Sequence, residues 1–378
     1  MYIQNAKIIY PDRIESGSVS IQDQRITGIN GEIPDKNDMI IDGQGLYLAP
    51  GFIDIHIHGA GGHDTMEGTP EALDSIATTI AAQGTTAFLP TTMTTPVDRI
   101  NHALRAIGQR RDGGGPGAQV LGAHLEGPFI SGAAIGAQNP AYLQEPSIDV
   151  YQAMTEGCGD VPVSITMACE LEGSDALITY LAGQGLVVSI GHSNATYEEV
   201  CRAVAAGASH TTHLFNGMSG LHHREPGVVG ATFDLEALTT EVITDGIHIS
   251  WPVLRTTFRQ KGTDQVCLIS DAMMACGMPD GVYELGGQEV IVADKAARLR
   301  TGSLAGSVLT LREAVRNVAR HCGIPLHEAV KMATLNPARF CGVDDHKGRI
   351  APGYDADLVL FDEDFQIKQV IIGGKTFC

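Results

Sequence analysis

The sequence predicts an α/β protein built around a (β/α)8 TIM-type barrel, with a small β-sandwich domain formed from both chain termini. From Gly51 onward, short apolar runs alternate with helix-like stretches such as TPEALDSIATTIAAQG. This alternation is typical of a parallel sheet whose strands are connected by helices. The two ends instead resemble hairpin strands. We expect the barrel to cover residues 51–345, and the small domain to combine residues 1–50 with residues 346–378.

Eight apolar runs are candidates for the barrel strands. In chain order they are GFIDIHIHG, TTAFLPTTMT, QVLGAHLEGP, VPVSITMACE, GLVVSIGHSN, HTTHLFNG, TTEVITDGIH and QVCLISDAM. The stretch NATYEEVCRAVAAGA is predicted to form a helix that begins after a cap at Asn194 or Thr196 and ends at Gly207. Two further helices, TLREAVRNVARHCG and LHEAVKMATLNPARFCG, are predicted between the barrel and the C-terminal strands.

The composition favours a protein that acts on small molecules. The 378 residues include 44 acidic and 25 basic side chains, and the net charge of −19 would repel nucleic acid. The chain has no apolar run of membrane-spanning length and no secretion signal, so we expect a cytoplasmic protein without membrane contact. Its eight cysteines form no CxxC pair, which argues against a zinc ribbon or a disulfide framework.

Two histidines in the first strand suggest a metal site. Side chains alternate along a strand, so His56 and His58 share one face. At the end of a strand, two imidazoles on one face offer two nitrogen ligands. Taken alone, the pair could equally be two core histidines that are satisfied by hydrogen bonds.

Polar residues stand at the ends of other predicted strands as well, where barrel enzymes carry their catalytic groups. A cavity with so many buried imidazoles and carboxylates is costly unless a cation neutralises it. These residues are His56 and His58 on strand one, Glu126 on strand three, His192 on strand five, His213 on strand six, Asp245 and His248 on strand seven, and Asp271 on strand eight.

The lysines restrict how two metals could be held. Barrel enzymes with a paired histidine often join two metals through a modified lysine on the fourth strand, but this chain has no lysine between Lys36 and Lys261. Glu126 is the natural substitute, since each carboxylate oxygen can hold one metal. One predicted site is Glu126, His192 and His213, and the other is His56, His58, Glu126 and Asp271. Ligands of this type suit Zn²⁺, with Fe²⁺, Mn²⁺ or Co²⁺ as alternatives.

A series of motifs resembles the N-acetylglucosamine-6-phosphate deacetylases of the amidohydrolase superfamily. The resemblance covers essentially the whole chain and includes MATLNPARFCGV near the end. The motifs are, in order, PGFIDIHIHG, HLEGPF, GHSNATYEE, THLFNGM, HHREPG, DGIHI, SDAM and GSLAGS. HxH occurs across the superfamily, whereas the combination of HLEGP, GHSNAT and HHREPG indicates the branch that acts on acetamido-sugar phosphates.

The resemblance implies a role for each matching residue. Glu126, His192 and His213 match the main metal ligands and Asp271 matches the catalytic aspartate, while His56 and His58 favour a second metal. The matches to substrate contacts are Ala137, Gln138, Asn216, Gly217, Arg224, His248, Leu304, Ala305 and Gly306. Some members carry histidine where Gln138 stands, and Gln138 cannot act as an acid. The region around Arg224 approaches the neighbouring subunit in relatives, which implies a homodimer.

The expected reaction is hydrolysis of the acetamide of N-acetylglucosamine-6-phosphate in amino-sugar catabolism. A metal acidifies water and polarises the acetyl oxygen, and Asp271 acts first as general base and then as general acid. Either His248 or Gln138 would stabilise the oxyanion. Arg224 offers a planar fork for the phosphate, although a surface pair with Glu225 is the ordinary alternative.

Two other functions compete with this expectation. N-acetylgalactosamine-6-phosphate differs at one hydroxyl, and the motifs NGMSGLHHREPG and GMPDGVYELGG suit either sugar. A catalytically silent sugar-phosphate-binding protein is the alternative from another class. Such a protein would be expected to lack Asp271 or a metal ligand, and this chain retains all of them.

Overall fold

The structure is a computed structural model that describes residues 1–31 and 39–378. Residues 32–38, which belong to the predicted N-terminal part of the small domain, lie outside the described residues.

The strands are β1 (Tyr2–Ile9), β2 (Ile14–Gln22), β3 (Arg25–Ile29), β4 (Ile40–Asp42), β5 (Tyr47–Pro50), β6 (Phe52–Ile57), β7 (Gly59–Ala60), β8 (His63–Asp64), β9 (Thr85–Pro90), β10 (Gln119–Val120), β11 (Ala123–Glu126), β12 (Pro162–Met167), β13 (Val187–Ile190), β14 (His210–Thr211), β15 (Thr239–Ile243), β16 (Val266–Ile269), β17 (Gly281–Leu285), β18 (Gln288–Ala293), β19 (Ala296–Leu299), β20 (Leu358–Phe361), β21 (Ile367–Ile372) and β22 (Lys375–Thr376). The helices are α1 (Pro70–Ala81), α2 (Val97–Gly113), α3 (Ile148–Met154), α4 (Ser174–Gly183), α5 (Tyr197–Ala206), α6 (Gly227–Asp234), α7 (Trp251–Lys261), α8 (Leu311–His321), α9 (Leu326–Lys331) and α10 (Leu335–Phe340), with short 3-10 turns at Thr65–Glu67, Gly132–Ala134 and Pro140–Tyr142.

Parallel strands form the scaffold of the molecule, and each of the eight predicted apolar runs contains one. Strands β11 to β16 lie side by side in chain order, and β6, β9 and β10 form a second parallel sheet. Parallel bridges connect Thr91 with His124 and Ile57 with Ala272, so the two sheets meet along both edges. The strands are buried and helices separate them in the chain, as expected for an α/β barrel-like fold.

Local sequence sets the ends of the helices. Thr69 caps α1 by accepting a hydrogen bond from the backbone N–H of Ala72, and Pro70 occupies the first helical position. Thr196 and Glu199 form a capping box at the start of α5, and Gly207 ends it. Of the two caps that the sequence allowed, the structure therefore uses Thr196.

Both chain ends contribute to one antiparallel-rich sheet. The strand order is β22-β21-β20-β5-β1-β2-β3, and β4 also pairs with β1. Strand β5 is parallel to β1 and antiparallel to β20, so it joins the N-terminal strands to the C-terminal ones. Ile3, Ile8, Leu48, Leu358 and Ile371 are buried in the core of this unit.

A separate antiparallel sheet was not predicted from the sequence. Strands β17, β18 and β19 form it in that order, between β16 and α8 in the chain. Its first strand ends at Leu285, which reaches the cavity described below. These strands alternate between exposed and buried residues, whereas the barrel strands are mostly apolar and buried, so this segment did not match the pattern of a barrel strand.

Two further observations bear on the composition. Among the described residues, no helix combines the length and the apolar character needed to cross a membrane. All eight cysteines carry free thiols, and five of them are buried.

Candidate metal centre and substrate cavity

Buried polar side chains gather at the carboxyl ends of the parallel strands. His56 lies on β6 and Glu126 ends β11, whereas His192, His213 and Asp271 follow β13, β14 and β16. These last three residues adopt positive φ angles of 46°, 29° and 47°. Left-handed backbone is unfavourable for residues other than glycine and is typical of functional sites. The chain therefore accepts backbone strain at each of the three positions.

The first ligand group consists of Glu126, His192 and His213. Glu126 Oε1 lies 3.2 Å from His192 Nε2 and 3.0 Å from His213 Nε2, and the two ring nitrogens are 3.2 Å apart. Three potential metal-ligand atoms thus lie close enough together to bind one ion. These are the three residues of the first metal site that the sequence predicted.

The second group consists of His56, His58 and Asp271. Asp271 Oδ1 lies 3.7 Å from His56 Nε2 and 3.4 Å from His58 Nε2. Glu126 stands between the groups, because its Oε1 is 3.4 Å from His56 Nε2 and its Oε2 is 3.2 Å from His58 Nε2. The two groups are therefore neighbours that share one carboxylate.

The residues present fit a divalent cation. His192 Nδ1 lies 2.9 Å from the carbonyl oxygen of Ala134, which can only accept, so the ring carries its proton on Nδ1 and turns the Nε2 lone pair inward. His56 Nε2 is buried and has no hydrogen-bond partner in the described residues. Imidazole nitrogen and carboxylate oxygen together suit Zn²⁺ and related transition metals.

The pKa values of the cluster also indicate that a cation would suit it. Burial lowers the pKa of His56, but the carboxylates of Glu241, Glu126 and Asp271 outweigh it and raise that pKa well above its usual value. The pKa of His58 rises to about 9, because Asp271 and Glu126 outweigh burial. For Asp271, burial raises the pKa, but His56 and His58 outweigh it and lower the pKa. Without a cation, the carboxylates therefore attract protons to the rings.

Glu241 belongs to this cluster, although the sequence analysis did not single it out. Its Oε1 lies 2.6 Å from His56 Nδ1 and accepts a hydrogen bond of 3.1 Å from the backbone N–H of His213. Burial raises the pKa of Glu241, but His56 and His210 outweigh it, so the carboxyl stays ionised. The available signal was a lone carboxylate in the otherwise apolar or hydroxyl-bearing strand TTEVI.

The cluster opens into a cavity of about 330 Å³, a volume suited to a small ligand. Most of the predicted site residues line it: His58, Glu126, Ala137, Gln138, His192, His213, Asn216, Gly217, His248, Asp271, Leu304 and Gly306. Met93, Gly136, Phe215 and Leu285 also line it and were not predicted. His56 and Ala305 lie just behind this surface, where both are fully buried.

Gln138 and His248 have different partners within the cavity wall. Gln138 donates from Nε2 to Glu126 Oε2 at 2.6 Å and accepts from the backbone N–H of Thr94 at 2.8 Å. His248 Nδ1 lies 2.7 Å from Asp245 Oδ2, which leaves its Nε2 as the unengaged ring nitrogen. The amide of Gln138 is thus committed to holding Glu126.

Arg224 does not line this cavity. It lies on an exposed loop, where its Nη1 is 2.7 Å from Nε2 of His223. The alternative ion pair with Glu225 does not form among the described residues either, and Glu225 instead exchanges backbone hydrogen bonds with His222. Within one chain, the structure therefore does not place Arg224, the residue expected to bind the phosphate, beside the other site residues.

His124 on β11 is a hydrogen-bonded histidine inside the strands. Its Nε2 lies 2.7 Å from Thr166 Oγ1, and its Nδ1 lies 3.3 Å from the carbonyl oxygen of Ile55. Burial, together with the neighbouring His56, lowers its pKa to about 3. The ring is therefore neutral, and it packs edge-on against the ring of His56, with ring centroids 4.5 Å apart.

Comparisons with known proteins show which family this chain belongs to. The chain is 40% identical over 376 residues to the N-acetylglucosamine-6-phosphate deacetylase of Lysinibacillus sphaericus, covering 99% of this chain and 97% of that protein. It is also 40% identical over 328 residues to the N-acetylgalactosamine-6-phosphate deacetylase of Escherichia coli O157:H7, covering 87% of each. The crystal structure of N-acetylglucosamine-6-phosphate deacetylase from Pasteurella multocida matches with a TM-score of 0.94 at 32% identity, over 99% of this chain and 98% of that one. The sequence pattern of the amidohydrolase family matches residues 47–377, and the chain belongs to that family.

Proposed function

We propose that this protein hydrolyses the acetamide of N-acetylglucosamine-6-phosphate to acetate and glucosamine-6-phosphate. One observation carries the proposal: members of both candidate ligand groups, including the carboxylate of Asp271, line the same cavity of about 330 Å³. Relatives that are 40% and 36% identical over most of the chain carry this activity in their names. A cytoplasmic setting would suit such a catabolic reaction.

The first and the second ligand group would each hold a divalent cation, with Glu126 available to both. Zn²⁺ is the first choice for these ligands, followed by Fe²⁺, Mn²⁺ or Co²⁺, and one or two ions per subunit are compatible with them. When bound, the cation supplies Lewis acidity, which polarises a carbonyl oxygen and makes water more acidic.

Asp271 would carry the proton during the reaction. Its pKa is lowered, because His56 and His58 outweigh its burial, so the carboxylate is ionised and ready to accept a proton from the attacking water. The water oxygen forms a bond to the acetyl carbon, and Asp271 then delivers the proton to the sugar nitrogen as the C–N bond breaks. The products are acetate and the free amine.

The other cavity residues would orient the substrate and stabilise the oxyanion. His248 is the favoured hydrogen-bond partner for the acetyl oxygen, since its Nε2 is unengaged whereas the amide of Gln138 already holds Glu126. Asn216 and Gly217, together with Ala137 and the segment from Leu304 through Ala305 to Gly306, would contact the sugar.

We also propose that Arg224 binds the phosphate in a homodimer. Arg224 is exposed and does not line the cavity of its own chain, so a dimer that covers residues 220–225 would bring a cationic cluster to a site. Guanidinium matches phosphate oxygens through two parallel hydrogen bonds.

For the fold, we propose a closed (β/α)8 barrel over residues 51–345, and a β-sandwich built from residues 1–50 and 346–378. The two parallel bridges that link the sheets along both edges support the closed barrel. The shared sheet of the chain ends supports a second unit with its own core.

The galacto sugar is the second candidate substrate, because one relative with 40% identity is named as an N-acetylgalactosamine-6-phosphate deacetylase. Most of the other relatives carry the gluco name, which favours N-acetylglucosamine-6-phosphate. A silent binding protein would retain the ligands for the sugar and release no acetate.

The test is acetate release from the two sugar phosphates, measured side by side with zinc-loaded protein. We expect turnover of both, with the higher kcat/KM for the gluco sugar. A higher kcat/KM for the galacto sugar would reverse the assignment of substrate. Tight binding of either sugar without any acetate release would favour the silent binding protein.

A further inference from the structure

A carboxylate lies beneath the ligand groups in the middle of a strand. Glu241 is the third residue of β15 and is only 1% exposed. Burying a carboxylate is costly unless charged or hydrogen-bonded partners compensate for it. The proposed reaction assigns no task to this residue.

Its contacts explain why a carboxylate stands there. One oxygen of Glu241 lies 2.6 Å from His56 Nδ1 and 3.1 Å from the backbone nitrogen of His213. Its other oxygen lies 3.6 Å from His210 Nε2, which is an ion-pair distance rather than a hydrogen bond. Glu241 therefore contacts the ring of one candidate ligand and the backbone of another.

The first of these contacts determines the tautomer of His56. An ionised carboxylate can only accept a hydrogen bond, so the proton of a neutral His56 ring must stand on Nδ1. The lone pair then lies on Nε2, which is buried, lacks a hydrogen-bond partner and faces Glu126 Oε1 at 3.4 Å and Asp271 Oδ1 at 3.7 Å. A ring with its proton on Nε2 would present a donor instead of a ligand atom to that group.

We propose that Glu241 is a positioning residue, which holds the His56 ring so that Nε2 serves as a metal ligand beside His58 and Asp271. This inference rests on the proposed metal-dependent function. It adds a partner outside the ligand groups to the second of the two proposed metal sites. Partners of this kind commonly change metal affinity by about 10- to 100-fold.

The test measures zinc affinity and stoichiometry by competition with a chromogenic chelator, without substrate. We expect Glu241→Gln to weaken one zinc by about 10- to 100-fold while the other is retained. The glutamine has the same shape and can still accept from the backbone of His213, but it lacks the charge that holds the imidazole. Glu236→Gln, on the exposed turn before the same strand, is the matched control and should bind zinc as the wild type does.

A double-mutant cycle separates a positioning role from general loss of structure. If Glu241 acts through His56, then Glu241→Gln should weaken zinc no further in a protein that already carries His56→Asn. A full additional loss in that background would overturn the proposal. So would wild-type zinc affinity in Glu241→Gln, or zinc binding in the wild type that does not respond to His56→Asn.

A measurement on the wild type covers the case in which Glu241→Gln fails to fold. In zinc-loaded protein labelled with ¹⁵N, the His56 ring should show its proton on Nδ1, and its signals are assigned by their loss in His56→Asn. A proton on Nε2 would overturn the inference. Because these measurements need no substrate, failure to release acetate would reject the proposed reaction and leave the result on Glu241 standing.

Discussion

Glu126 occupies the position on which both ligand groups depend. Its Oε1 faces His192 and His213, and its Oε2 faces His58 and accepts a hydrogen bond from Gln138. Gln138 therefore fixes the orientation of the carboxylate, which a freely rotating side chain would not keep. A residue expected to contact the sugar thus also supports the metal centre.

Among the single residues, Asp271 should be required for turnover. We expect Asp271→Asn to lower kcat by about 10²- to 10⁴-fold, because an amide cannot shuttle the proton. The first ligand group does not contain Asp271, so zinc bound there should be retained. Steady-state acetate release together with zinc analysis checks this. Asp23→Asn, in an exposed turn with positive φ, is the control, and near-normal kcat in Asp271→Asn would refute the assignment.

Arg224 should matter mainly for phosphorylated sugars. We expect Arg224→Ala to raise KM for the sugar phosphate by about 10-fold or more, since charge-assisted hydrogen bonds to an anion contribute roughly 1.5–3 kcal/mol. The slow reaction of unphosphorylated N-acetylglucosamine should change little. Arg259→Ala, at another exposed arginine, should leave both unchanged. Equal losses for the two sugars would contradict a phosphate role.

At the scale of elements, the strand ends place the ligands. Alternation along β6 explains why His56 and His58 point to one side, and this much follows from local sequence. His192, His213 and Asp271 instead reach the cluster through left-handed backbone just after their strands. Sequence identifies the residue types at these ends, but the inward turn is imposed by the surrounding structure.

A buried ion cluster ties the segment after α10 to the start of the C-terminal strands. Lys347 Nζ lies 2.7 Å from both Asp355 Oδ2 and Asp357 Oδ2, and its side chain is 5% exposed. We expect Lys347→Met to lower the free energy of unfolding by about 3 kcal/mol, because it leaves Asp357 without a cation and leaves Asp355 with only the half-exposed Arg25. Lys368→Met, which removes the more exposed pair with Asp362, should cost at most about 1 kcal/mol. Chemical denaturation checks both values, and equal losses would contradict this account.

The pH dependence of that cluster has a definite sign. Burial lowers the pKa of Lys347, but Asp357 and Asp355 outweigh it and raise that pKa above the ordinary value of 10.5. A raised pKa means that the stabilisation is fully present at neutral pH and is lost only as the pH rises through the raised value. The stability difference between wild type and Lys347→Met should therefore shrink in strong alkali.

At the scale of the whole molecule, metal removal should lower stability. A ligand present at about 100 to 1,000 times its Kd stabilises the folded state by roughly 3–4 kcal/mol. We therefore expect Tm to fall on treatment with a chelator and to recover with Zn²⁺, whereas Ca²⁺ should not restore it because imidazole ligands suit it poorly. Thermal unfolding followed by circular dichroism checks this, and an unchanged Tm would argue against a metal held by the folded protein.

The metal-free protein should also respond to pH. The pKa of His58 is raised from 6.5 to about 9, so its contribution to stability is present below 6.5 and is lost as the pH rises through about 9. Zinc-loaded protein should not show this alkaline loss, since the cation replaces the proton. A flat Tm between pH 6.5 and 9 after chelation would contradict the expected protonation of the cluster.

The sequence by itself determined the family, the strands with their polar ends, and most of the cavity lining. These features depend on local alternation, capping and motifs, which the chain carries in short segments. The tertiary structure decided that Glu241 pairs with His56, 185 residues away, that Gln138 holds Glu126, and that Arg224 stays outside the cavity of its own chain. The physical reason is that such contacts depend on how distant strands and loops are placed against one another, and no local pattern encodes that placement.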